Sequence, residues 1–212
     1  CTKASGVELY GSGWVSNVTG GTIAGTQHGV ELDQSGTVIN QGLITASDTT
    51  AVGIYMRAGG TVSNTGTVQG GQLGVLFGTS SATAGTLTNA GAITGSGGAV
   101  QFAAGFANRL IVDPGATFSG QVDGGNSIGG SVASTLELAS GASTGRIGGI
   151  GSTITNFARI AVDSGATWVL TGGNSLAAGV TLTNSGTVFA NGVLTDRGRI
   201  DSTGGTIIVG ST

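Results

Sequence analysis

The chain has 212 residues, 44 of them glycine and only one proline, with ten acidic and seven basic side chains and a formal net charge of −3. One proline and no Gly-X-Y period exclude collagen, and recurrent valine, isoleucine and leucine exclude a disordered, charge-rich chain. The few basic residues are scattered, which argues against nucleic acid as a partner, and no apolar run reaches the length of a membrane-spanning helix.

From the first residues onward the chain repeats a short phrase, apolar-x-apolar after glycine or alanine. Its copies are Val7/Leu9, Val30/Leu32, Ile54/Met56, Val75/Phe77 and Val100/Phe102, spaced by 23, 24, 21 and 25 residues. Such a pair sits on one face of a strand. A second phrase, Asn-x-Gly-x-Ile/Val, runs in step with it. It reads Asn40-Gln-Gly42-Leu-Ile44, Asn64-Thr-Gly66-Thr-Val68, Asn89-Ala-Gly91-Ala-Ile93 and, later, Asn184-Ser-Gly186-Thr-Val188. Asn156-Phe-Ala-Arg-Ile160 reads as a degenerate copy.

Two phrases sharing one irregular period predict an all-β fold, a single-stranded parallel β-helix (solenoid) with about 24 residues per coil. Two or three short strands and their turns fill one coil. Each strand then pairs with its equivalent about 4.8 Å away in the next coil. A single coil cannot bury its own apolar face, so the coils must stack. Asn-x-Gly marks a corner, where glycine tolerates positive φ and in-register asparagines can bond along the stack.

Near residue 106 the phrasing changes. Arg109-Leu-Ile-Val-Asp113-Pro-Gly-Ala-Thr-Phe118 returns as Arg159-Ile-Ala-Val-Asp163-Ser-Gly-Ala-Thr-Trp168, with Thr135-Leu136-Glu-Leu between them. The expectation is one domain over 1–212, with Asn-x-Gly coils in 1–105 and a second dialect in 106–212. A loop is expected to leave the stack at 120–134. Asp113 and Asp163 read as turn formers, and Trp168, aligned with Phe118, as core packing. Cys1, the sole cysteine, and Thr212 read as boundaries inside a longer chain. A reactive or lipid-bearing thiol is the second reading of Cys1.

Chemistry-bearing residues are sparse. His28 is expected at an exposed corner. Glu8, Glu31 and Asp33 form the one cluster that could serve as a glycosidase pair on a carbohydrate-active β-helix. Arg57, in step with Asp33, makes a surface salt bridge the simpler account. No catalytic residue, metal or cofactor is expected. Thr61-Val-Ser63, Thr86-Leu-Thr88, Thr153-Ile-Thr155 and Thr181-Leu-Thr183 raise ice binding as a third possibility.

The Asn-x-Gly copies, the segments "LIVDPGATFSGQVDGGN" (110–126) and "STLELASGA" (134–142), and the segment 154–188 resemble the passenger domains of autotransporters, the type V secretion proteins of Gram-negative bacteria. The resemblance implies a right-handed β-helix, export, and display at the cell surface through a C-terminal outer-membrane barrel outside this sequence. Passengers of that family carry varied functions, adhesion, proteolysis and toxicity, on a common stalk; the low charge, the abundance of threonine, serine and asparagine and the sparse chemistry point here to a non-catalytic structural or adhesive role. The expected partners are a host-cell, matrix or carbohydrate surface ligand and further coils of the parent chain at both ends.

Overall fold

The structure is a computed structural model that describes residues 4–78 and 83–210; Cys1 and Thr212 lie outside the described residues. Among the described residues the regular elements are all strands. They stack in parallel as a β-solenoid of about nine turns with about 23 residues per turn.

Each early coil visits three sheets in turn. The first sheet holds Ser5–Leu9, His28–Leu32, Val52–Met56, Leu73–Phe77, Gly98–Gln101, Val122–Asp123 and Ile154–Thr155. The second has nine strands, from Trp14–Asn17 to Arg199–Asp201, and runs the length of the stack. The third runs from Thr22–Gly25 to Thr117–Ser119.

The predicted apolar phrase is the inward row of the first sheet. Val7, Val30, Ile54, Val75, Val100 and Val122 are successive register partners. The matching row of the second sheet includes Val38, Val62, Leu87, Leu110 and Leu136, all fully buried. Burying each such side chain stabilises the fold by about 1.5–3 kcal/mol, an upper figure because unfolded chains are not fully extended. Phe77 and Phe102 stack on adjacent coils with ring centroids 4.7 Å apart.

The change of phrasing has a structural counterpart. The third sheet ends at Thr117–Ser119, and a separate four-stranded sheet begins one coil later at Gly145–Gly148. The first sheet ends at Ile154–Thr155, and the pair Gly173–Leu176 and Val193–Asp196 follows. The second sheet continues through both changes and keeps the stack in one piece. Trp168 fills the core here. Its indole lies where a Cβ on Gly145 would be, at 2.6 Å, and its Nε1 donates to the Ala139 carbonyl at 2.9 Å.

The predicted loop at 120–134 does not leave the stack whole. Val122–Asp123 is a strand that pairs with both neighbouring coils, because Val122 completes the inward row between Val100 and Ile154. The remainder is tied back by Asn126, which accepts from the Gly105 N–H and donates to the Phe106 carbonyl and the Ser134 hydroxyl.

Candidate functional site

Two polar rows follow from the register. The first is internal. Asn17, Asn40, Asn64 and Asn89 are successive partners in the second sheet, and all four side chains point into the corner toward the third sheet. Each Nδ2 donates to the next Oδ1: Asn17 to Asn40, Asn40 to Asn64 and Asn64 to Asn89, each at 2.8 Å. Asn40, Asn64 and Asn89 also donate to the carbonyls of Gly42, Gly66 and Gly91, each at 3.2 Å. This row satisfies buried backbone groups at a turn, where an orphaned carbonyl would be costly.

The glycines of the motif are needed for close approach. None of Gly42, Gly66, Gly91 and Gly186 has positive φ. A Cβ on Gly66 would lie 2.2 Å from the Gly42 carbonyl oxygen, and one on Gly91 would lie 2.0 Å from that of Gly66. The corner glycines of successive coils therefore stack with no room for a side chain, a different reason from the expected conformational one.

The asparagine row stops after Asn89. Its next three register positions are Val112, Leu138 and Val162, and Asn184 resumes it. Asn184 Oδ1 accepts from the Gly186 N–H at 3.1 Å. Asn156 is not in this row. It follows the first-sheet strand Ile154–Thr155, has φ 65°, and donates to Asp123 Oδ1 at 2.8 Å. Ile160 accordingly belongs to the second sheet, between Leu136 and Leu182. The degenerate phrase retained too few residues to fix its register. Asn17 was missed because it lacks the glycine two places on; its spacing of 23 from Asn40 was the available signal.

The second row faces outward on the first sheet. Its register partners are Glu8, Glu31, Tyr55, Leu76, Gln101, Asp123 and Thr155. Glu8 is exposed, but Glu31 is buried, because Arg57 and Tyr55 close over it. Arg57 binds Glu31 Oε1 through Nε at 2.6 Å and binds Asp33 Oδ1 at 2.9 Å. The Ser5 hydroxyl donates to Glu31 Oε2 at 3.0 Å. The expected ion pair is thus a three-residue network centred on Arg57. Both oxygens of Glu31 are engaged, which leaves it poorly suited to be a general acid.

His28 is buried in a strand, not exposed at a corner. Its ring lies 5.2 Å from that of Tyr55, its Nε2 is 3.8 Å from Glu31 Oε2, and its Nδ1 has no hydrogen-bond partner among the described residues. Burial pushes the imidazole pKa down, partly opposed by the Glu31 charge. Among the described residues no group of three or more His, Cys, Asp or Glu is arranged to hold a metal ion.

The threonine phrases do not form one row. Thr37, Thr61 and Thr86 align on the second sheet, but Arg109 takes the next rung. Thr155 lies on the first sheet. Arg109 pairs instead with Glu137. Comparison of the chain with family models, curated proteins and solved structures gives no match.

Proposed function

We propose that this chain is a rigid, non-catalytic display segment, a structural and adhesive passenger region exported and held at the surface of a Gram-negative cell. The observation that carries the reading is the registered stack itself. Its interior is closed by aliphatic rows and, in the early coils, an asparagine row, while the outward positions of the second and third sheets are mostly threonine, serine and other small residues. A stack of this kind has a length set by coil number, at about 4.8 Å per coil. It presents repeated side chains at fixed intervals, which suits binding by many weak contacts. The sequence resemblance of segments 110–126 and 154–188 to autotransporter passengers supplies the secretion half of the proposal.

Both halves can be tested together. The chain, fused between a signal peptide and an outer-membrane barrel, should reach the surface of a Gram-negative cell and resist added protease. It should also raise attachment to plates coated with matrix protein or host cells. Retention in the periplasm would overturn the passenger half. Surface display with no gain in attachment would overturn the adhesive half.

A further inference from the structure

A groove of about 390 Å³ follows the outward row of the first sheet from Tyr55 to Asp123. That volume lies at the lower end of the ~300–1,000 Å³ typical of small-ligand clefts. The wall residues Tyr55, Leu76, Gln101 and Asp123 come from four successive strands in register. Rungs about 4.8 Å apart place Gln101 about 5 Å and Tyr55 about 14 Å from Asp123 along the stack. Gly78, Ala104 and Gly125 keep the groove open, and the stacked rings of Phe77 and Phe102 stiffen its base.

The polar ends in this groove are uncommitted. Gln101 is exposed, and its amide has no hydrogen-bond partner among the described residues. Asp123 Oδ1 is held by the Gly125 N–H and by Asn156 Nδ2, both at 2.8 Å, while Oδ2 has no partner there. The carboxylate is therefore fixed in orientation with one oxygen free. The Tyr55 hydroxyl is also without a partner among the described residues. An amide that both donates and accepts, one rung from an anchored carboxylate, can hold neighbouring hydroxyl groups. Leu76 and the edge of the Tyr55 ring offer an apolar surface for a C–H face. The nearby cation, Arg57, is already bound to Glu31 and Asp33, so the groove carries negative and not positive charge.

We infer that this groove binds a neutral hexopyranose unit of a glycan, with Gln101 and Asp123 holding its hydroxyls. The inference rests on the adhesive reading and gives it a ligand class. The test titrates the isotope-labelled chain with methyl glucoside, methyl galactoside and methyl mannoside, with glucuronic acid as the anionic control, and follows the amide resonances. At least one neutral glycoside should move the Gln101, Asp123 and Gly125 amides saturably, and glucuronate should bind about tenfold more weakly. Gln101→Ala should weaken binding about tenfold, the loss of about one or two hydrogen bonds. Ala104→Trp, which fills the groove, should abolish it. Absence of a saturable shift with every neutral glycoside overturns the inference. So does equal binding of glucuronate, or unchanged affinity in both variants. Failure here is separable from failure of the adhesive reading. Surface attachment that survives Ala104→Trp keeps the adhesion and removes the groove from it.

Discussion

Replacing Asn64 by alanine tests whether the asparagine row acts as a connected unit. Asn64 accepts from Asn40 and donates to Asn89, both at 2.8 Å, and also donates to the Gly66 and Ala92 carbonyls at 3.2 and 3.4 Å. The residue is 1% exposed, so no water replaces these bonds without entering the corner. The partners are not fully orphaned. Asn40 Nδ2 keeps Gly42 and Thr67, Asn89 Oδ1 keeps the Gly91 N–H, and the Gly66 carbonyl keeps the Ala92 N–H. The cost is then about 0.5–1.5 kcal/mol for each of the two short bonds plus a small cavity, about 2–4 kcal/mol together. Asn17→Ala breaks only one amide-to-amide bond at the end of the row and should cost about 1 kcal/mol. Urea unfolding followed by circular dichroism measures both. Amide exchange at Gly42, Gly66 and Gly91 locates the loss, since repeat stacks can open locally. An Asn64→Ala shift below about 0.5 kcal/mol, or one equal to that of Asn17→Ala, would refute the reasoning.

Arg57→Ala strands the buried Glu31 carboxylate and should destabilise by about 2–3 kcal/mol, less than for a fully buried pair because the guanidinium side is 38% exposed. Adding Glu31→Gln should recover most of that loss in the same urea assay. Trp168→Ala should cost about 3–5 kcal/mol by cavity formation, and Gly145→Ala about 1–3 kcal/mol because the new Cβ meets the indole; thermal melts rank them. His28 should make stability fall with acidity. Its folded pKa lies below its unfolded value near 6.5, so the unfolded chain binds more protons and stability is lost as pH drops through and below about 6.5. His28→Gln should flatten that part of the urea-midpoint profile, and an unchanged profile would remove His28 as the cause. Asp113 and Asp163, whose pKa values are raised by burial and by Glu137, act with the opposite sign at lower pH.

The parallel stack, its period and its inward rows were readable from the sequence because they depend on local alternation repeated at fixed distance. Val7, Val30, Ile54, Val75 and Val100 could be aligned by spacing alone, and the strands pair as that spacing requires. The same logic placed Asn40, Asn64 and Asn89 on one corner, and Arg57 beside Asp33. What spacing could not settle was how far each coil departs from the period. Asn156 fell on a different face because the coil between the register partners Val122 and Ile154 is longer than its neighbours, with most of the added chain after Leu136, and a short phrase cannot register that. Nor could spacing separate conformational from steric need at Gly42, Gly66 and Gly91, since that depends on the carbonyl of the coil below. The burial of His28 and Glu31 and the open groove beside Gln101 and Asp123 belong to the tertiary structure alone. They arise where outward side chains of different lengths, brought one rung apart by the stack, either close over one another or leave space.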